Sequence, residues 1–335
     1  MTLSVVLAAA LLQKHRSKQK QRARSDDIRV LIIRAGVIGS TYACHLAKRG
    51  VDVTLLASED RFQYLTVNGV HVRNIITNQQ ETGPVYIVST VPTKGEFDPI
   101  ILAVRYHQLG AAFEHARPLM ATTPLLLLQN NLLGIEGTIT ELDAHSLLMG
   151  FPGTAGLRSG STVCSLPLWW GTTLIGDPQG MRTQGLHQTA LISRRAGLRV
   201  KVRDDIAPWL RTHTTMITVL AGYIYKNGGS IQQFGQQEGR IHLCQQGLSE
   251  ALHALGTDHA STPPDTAHTY DAEAPWLARI PMRLASLTPW GRLLVDGYVA
   301  HKSDELGLFC DQLLSLAARP GARIPNPRSL APYFG

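Results

Sequence analysis

The stretch Val30–Ser58, VLIIRAGVIGSTYACHLAKRGVDVTLLAS, decides how the rest of the chain is read. With the two residues before it, it opens on IRVLII (Ile28–Ile33), an apolar run bounded by charge and glycine. Such a run is expected of a strand buried on both faces. VIGSTYACHLAKRG then spaces Ile38, Tyr42 and Leu46 four apart and ends on Lys48, Arg49 and Gly50. That pattern is a helix with cations near its negative end and a glycine stop. VDVTLLA (Val51–Ala57) reads as a second strand. Strand, tight turn, helix and strand open a dinucleotide-binding unit, whose turn ordinarily reads G-x-G-x-x-G. Here those three positions hold Arg34, Gly36 and Gly39.

Each glycine of such a turn has its own task. The first permits the tight turn, the second lets a pyrophosphate approach the backbone, and the third lets helix and strand pack closely. Gly36 and Gly39 keep the last two tasks, and Arg34 gives up the first. A positive φ at a residue with a Cβ costs roughly 1–2 kcal/mol. A guanidinium turned outward is well suited to pair with a phosphate. Two outcomes stay open: a cofactor site built from Arg34, Ala35, Gly36, Val37, Ile38 and Gly39, or a vestigial turn. At the end of the second strand, ASEDR offers Ser58 and Arg61 to a 2′-phosphate and Glu59 to a free ribose hydroxyl. The expected cofactor is NADP, with NAD as the alternative. A merely solvated Glu59-Asp60-Arg61 turn is the remaining possibility.

Further apolar runs continue the alternation: PVYIVST (Pro84–Thr90), DPIILAVR (Asp98–Arg105), PLLLLQN (Pro124–Asn130) and SLLMGF (Ser146–Phe151). LPLWWGTTLIGD reads as a hairpin or edge pair, and GLRVKVRDD (Gly197–Asp205) closes the strand-bearing half. After it the texture is helical. IAPWLRTHTTMITVLAGYIYKNGG ends on Gly228 and Gly229, with Asp205 as its expected N-cap. GRIHLCQQGLSEALHALG is a second helix, Asp258–Pro275 a long loop, and two more helical patterns run from about Trp276 and from about Gly297. The expected fold class is therefore α/β plus all-α: a Rossmann-type nucleotide-binding domain over 28–200 and a helical C-terminal domain over 201–335. Residues 1–27 form a basic leader, expected to be disordered and excluded from the fold.

The 335 residues carry a net charge of +7. Lys14, Arg16, Lys18, Lys20, Arg22 and Arg24 lie in the leader, which has no acid before Asp26. The remainder is close to neutral, so no nucleic-acid groove is expected. No apolar run approaches the ~20 residues that a membrane helix needs. A cytoplasmic location is expected, with a mitochondrial one the alternative that the acid-poor leader leaves open. Cys44, Cys164, Cys244 and Cys310 lie far apart, which argues against a disulfide framework and a metal site.

With these pieces in order, the chain resembles the ketopantoate reductase (2-dehydropantoate 2-reductase) family. AGVIGSTYACHLAKRGVDVTLLA is similar to that family's opening, and ILAVRYHQL to its fourth strand with a following cation. LLLLQNN, LLMGFPGTAGLRSG and DDIAPWLRTH resemble its later segments, and the likeness covers most of 28–230. The resemblance implies NADPH-dependent reduction of a small 2-oxo acid to a 2-hydroxy acid, a step of pantothenate biosynthesis, by a monomer or homodimer. By position it implies that Arg105 replaces the cation after strand four and that Asn130 lies near nicotinamide and substrate. Arg211 falls on the catalytic lysine, Thr215 on an asparagine, and Gly291 on a substrate-contacting glutamate. These are departures. An arginine hardly ever gives up its proton, but it can clamp a carboxylate or stabilise an oxyanion.

The expected catalytic residues are therefore Arg211 and Asn130, and the expected cofactor contacts include Ser58, Arg61, Arg105 and Asn130 as well as the turn. His213 is a rival proton donor by pKa. Two residues along a helix, however, it points away from Arg211 and is expected to pack. Trp209 is read as an interface anchor, and Asp304 and Glu305 as a solvated helix face. The alternative to a reductase is a catalytically impaired relative that binds a nucleotide or a partner. A third reading is a dehydrogenase acting on an amino or imino acid.

Overall fold

The computed structural model describes residues 28–92, 96–120, 123–134, 147–159, 162–167, 171–256, 286–288, 292, 295–297, 299, 303–318 and 324–334. β1 (Arg29–Ile33), α1 (Val37–Lys48), β2 (Asp52–Leu56) and α2 (Glu59–Asn68) follow the order read from the sequence. Next come β3 (His71–Asn74), β4 (Gln80–Thr82), β5 (Val85–Val88) and β6 (Ile100–Leu102). A 3-10 turn (Tyr106–Gln108) leads into α3 (Leu109–Ala116), β7 (Leu125–Leu128) and β8 (Leu147–Phe151). β9 (Thr154–Ser159), β10 (Thr162–Pro167), β11 (Thr172–Gly176), α4 (Gln184–Arg195) and β12 (Arg199–Val202) follow. Helices then take over: α5 (Ile206–Lys226), α6 (Ile231–Gly235), α7 (Glu238–Ala254), α8 (Ser303–Leu316) and α9 (Pro325–Arg328). The leader, the loop 258–275 and most of 276–294 lie outside the described residues.

Eight strands form one sheet in the order β12-β11-β8-β7-β6-β1-β2-β5. The six from β8 to β5 run parallel, β11 pairs antiparallel with β8, and β12 runs with β11. β1 lies at the centre and is buried on both faces. Val30 and Ile32 join one core with Tyr42, Ala43 and Leu46 of α1, while Leu31 and Ile33 join another with Leu109 and Phe113 of α3. A continuous apolar run is the consequence of that double burial. The chain goes from β1 to β2 on one side and later returns to β6 on the other, so strand order reverses between β1 and β6. Ligands of open α/β sheets bind beyond the carboxyl ends of the strands at such a point.

A second sheet, β4-β3-β10-β9, covers the other side of α1. Its Val72 and Val163 share a core with Tyr42 and Cys44. The segment LPLWWGTTLIGD is therefore no hairpin. β10 ends in the small sheet, and β11 begins in the large one, where Leu174 and Ile175 are buried against β8.

In the helical region Val219 and Ile224 of α5, Leu248 of α7 and Phe309 of α8 share one core. Gly228 and Gly229 end α5 with φ of 95° and 77°. Asp205 occupies the N-cap position, but its side chain caps nothing; Arg203 Nε and Nη2 donate to its two carboxylate oxygens at 2.7 and 2.6 Å. All four cysteines are buried and free. Among the described residues no group of His, Cys, Asp and Glu is arranged to hold a metal, and no helix is long and apolar enough to cross a membrane.

Candidate active site

The turn after β1 sits at the reversal of strand order. Arg34 adopts φ 89°, the left-handed conformation that the usual glycine provides without strain, and its N–H donates to the Leu56 carbonyl at 3.1 Å. Gly39 has no room for a side chain, because a Cβ would overlap the Arg34 carbonyl oxygen. Gly36 is the opposite case: nothing of the described protein lies within 4 Å of where its Cβ would be. Open space above Gly36 and tight packing below Gly39 are the two conditions for a phosphate to approach the positive end of α1. Ala35 is buried, and Val37 and Ile38 pack against the core below.

Three further expected residues stand along the same edge. Arg105 follows β6, and burial first and then the neighbouring Arg105 charge hold the Arg34 guanidinium below its ordinary pKa. Two cations thus converge at the turn. Ser58 precedes α2, exposed, with no capping bond from its side chain. Arg61, half-buried in the first turn of α2, lies 5.4 Å from the centroid of the Tyr64 ring. Glu59 is exposed and accepts a bond from Gln63 Nε2 at 3.3 Å.

At the carboxyl end of β7 the structure brings Asn130 and Arg211 into one neighbourhood. α5 crosses that end, and one helical face of Arg211, Thr214 and Thr215 meets it. Arg211 Nε donates to the Leu132 carbonyl at 3.3 Å, and the Asn131 N–H donates to Thr214 Oγ1 at 3.0 Å. Thr215 Oγ1 donates to the Arg211 carbonyl. Asn130 is half-buried. Gln129 and Asn131 are buried, and neither Oε1 nor Nε2 of the Gln129 side chain, nor Asn131 Nδ2, has a partner among the described residues. Buried polar atoms left without partners mark a place where a ligand or water completes the bonding.

His213 faces away from this neighbourhood. Its ring stacks on Trp209 at 5.0 Å and meets Phe151 edge-on at 4.4 Å. Burial pushes its pKa down to about 3, so the ring is neutral near pH 7 and holds no proton to give. Trp209, 3% exposed, packs α5 onto β8 and β11 through Phe151 and Leu174.

Two features lay beyond the sequence reading. Glu305 is not on a solvated face: it is 2% exposed and accepts the Tyr106 N–H at 2.8 Å. It therefore ties α8 to the turn that begins at Arg105. The spacing of Glu305, Phe309 and Leu313 on one helical stripe was the signal available for it. Tyr42 of α1 places its Oη 2.5 Å from Thr173 Oγ1 and accepts the Gly153 N–H at 3.2 Å. This buried phenol, raised to about 12 chiefly by burial, fixes the loop leaving β8. The position of the absent glutamate, Gly291, lies outside the described residues.

Residues 30–179, just under half of the chain, match the family model described as ketopantoate reductase PanE/ApbA. A 2-dehydropantoate 2-reductase of Pyrococcus horikoshii is 27% identical over 188 residues, 54% of this chain and 58% of that protein. One of Pyrococcus abyssi is 24% identical over 189 residues, 55% and 59% of the two chains. The chain thus aligns with less than two thirds of the length of these relatives. Among solved structures, 2-dehydropantoate 2-reductase from Geobacter metallireducens superposes with a TM-score of 0.73 at 20% identity, covering 92% of this chain and 99% of that one. A ternary structure of D-mandelate dehydrogenase with NADH and anilino(oxo)acetate gives 0.72 at 15% identity over 92% and 97%. At these identities the superpositions establish the fold.

Proposed function

Because residues 30–179 form a domain of the ketopantoate reductase family, we propose that this protein is an NADP(H)-dependent reductase of a small 2-oxo acid. The carrying observation is the pairing of a cationic, open nucleotide turn with an arginine beside Asn130 at the next strand end but one. Arg34, Gly36, Val37, Ile38 and Arg105 would hold the pyrophosphate, and Ser58 and Arg61 the adenosine ribose and its 2′-phosphate. The cofactor supplies a hydride to the carbonyl carbon of the substrate. Arg211, with Nε engaged by Leu132, has its terminal nitrogens for a substrate carboxylate or for the charge that grows on the carbonyl oxygen. Asn130 would orient that oxygen. A guanidinium is a poor proton donor, so the hydroxyl of the product would take its proton from water.

The engagement of Arg211 Nε by a backbone carbonyl also favours a second reading, a catalytically impaired relative that binds nucleotide or a partner. Arg211→Lys separates the two. Oxidation of NADPH with a panel of 2-oxo acids is expected to rise by about tenfold if Arg211 stands at the chemistry. NADPH binding without turnover in either form supports the impaired relative. An amine dependence of turnover would point instead to imino-acid reduction.

A further inference from the structure

We propose that Tyr106 is a positioning residue for the nucleotide: anchored in the core of the helical region, it holds Arg105 beside the turn that follows β1. This inference rests on the dinucleotide reading above and adds to it a residue that acts through another.

Strand pairing places Arg105. β1 and β6 are neighbours, with Ile33 opposite Leu102, and the Ala103 N–H donates to the Ile33 carbonyl at 3.3 Å. Arg34 and Ala103 therefore leave the sheet side by side, and Arg105 comes two residues later. The Arg105 charge adds to burial in lowering the Arg34 pKa, in keeping with that closeness. Local structure alone holds Arg105 weakly. Its N–H donates to Gln108 Oε1 at 3.4 Å, and its carbonyl accepts the Gln108 N–H at 2.9 Å, in a 3-10 turn of three residues. So short a turn has little stability of its own.

The stronger hold comes from the residues on either side, which enter different cores. Val104 is buried with Leu102 and Leu109 in the core between the sheet and α3. Tyr106, 8% exposed, is buried with Val219 of α5 and with Leu306 and Phe309 of α8. Its ring centroid lies 5.5 Å from that of Phe309 at an interplanar angle of 60°, and its N–H donates to Glu305 Oε1 at 2.8 Å. Glu305 and Phe309 stand one turn apart on α8, so a single helical face takes both the main chain and the ring of Tyr106. Arg105 is thus pinned between an anchor in the sheet core and an anchor in the helical core. Removing the second frees the main chain on the side where Arg105 leads into α3. The loop leaving β7 is held the same way. Leu132, two residues after Asn130, is buried in the same helical core, and its carbonyl accepts Arg211 Nε at 3.3 Å.

The test is calorimetric titration of NADPH into the full chain, unaltered and as Tyr106→Ala, Tyr106→Phe, Arg105→Ala and the double variant Arg105→Ala/Tyr106→Ala. Urea unfolding of each shows that it is folded before titration. Tyr106→Ala is expected to weaken NADPH by about fivefold or more. Tyr106→Phe, which keeps the ring, should recover most of that loss. In the chain that already lacks the Arg105 guanidinium, Tyr106→Ala should cost no further affinity, because a residue that acts through Arg105 then has nothing to position. Leu248→Ala, a truncation in the same core on α7, should lower the urea midpoint without weakening NADPH. The proposal is overturned if Tyr106→Ala or Arg105→Ala leaves NADPH affinity intact, if the two losses add in full, or if Leu248→Ala weakens NADPH as much as Tyr106→Ala does. Each of these results leaves the dinucleotide reading standing. Should Tyr106→Ala not fold, Tyr106→Leu carries the same comparisons. No binding of NADPH by the unaltered chain overturns this proposal and the reductase reading together.

Discussion

Arg34 holds a backbone conformation that glycine would adopt at lower cost, and it brings a cation to the place where a pyrophosphate would lie. The φ of 89° sets a penalty of roughly 1–2 kcal/mol against that cation. Arg34→Gly is therefore expected to keep or raise stability, by up to about 1 kcal/mol once the looser unfolded chain is included, while weakening NADPH several-fold. Denaturant unfolding and nucleotide titration of one variant check both halves; a loss of stability would show that the arginine is favourable in the fold itself. His213 gives a second test. Its folded pKa of about 3 lies below the ordinary 6.5, so the unfolded chain binds a proton that the native ring refuses. Stability from this residue is complete above about pH 6.5 and falls as pH drops toward 3, by up to about 1.4 kcal/mol per unit. His213→Phe should flatten that part of the pH–stability curve measured by urea midpoints, and an unchanged slope would place the acid sensitivity elsewhere. Helical spacing alone already turns His213 away from Arg211; the stacking on Trp209 and the edge contact with Phe151 are what the sequence did not show.

Helices carry the site by their ends and faces. α1 offers its positive end to the turn and is held between two sheets, so the amides at that end are fixed before any ligand arrives. α5, most of whose residues are buried, lays Arg211, Thr214 and Thr215 across the end of β7 as a second wall of the candidate site. α8 reaches the first wall through Glu305, whose carboxylate accepts the Tyr106 N–H beside Arg105. Removing that acceptor should cost about 1–3 kcal/mol, the range for a buried donor deprived of its partner. Glu305→Ala is thus expected to lower the urea midpoint and to raise KM for NADPH more than it lowers kcat, because it loosens Arg105 and not the carbonyl-facing group. Glu305→Gln keeps an acceptor and should recover most of both. An unchanged KM in Glu305→Ala would limit Glu305 to a stability role. The first turn of a helix favours acids for their interaction with the dipole, and Glu305 reads from sequence as such a solvated residue. Its place on a stripe with Phe309 and Leu313 is the fact that the packing uses.

The large sheet was legible because parallel strands buried on both faces leave uninterrupted apolar runs, and IRVLII, VDVTLLA and PLLLLQN all became interior strands of it. The second sheet was not. β10 and β11 are neighbours in sequence yet serve different sheets, a choice set by long-range partners that no local pattern records. Arg34 and Asn130 stand out in the sequence because each follows an apolar run at its carboxyl end, whereas Arg105 entered through the family resemblance. The proposed function depends on one physical claim: that a strand-to-helix turn with an arginine at its first position would still expose the end of α1 to a phosphate, with Arg105 reinforcing it. Calorimetric titration of the unaltered full chain with NADPH tests this most directly. Saturable one-to-one binding in the micromolar range, weakened by added salt as a cationic phosphate site requires, is the expected result. No heat of binding at high micromolar protein would contradict it, and would mean that the Arg34 side chain closes the turn it was taken to arm.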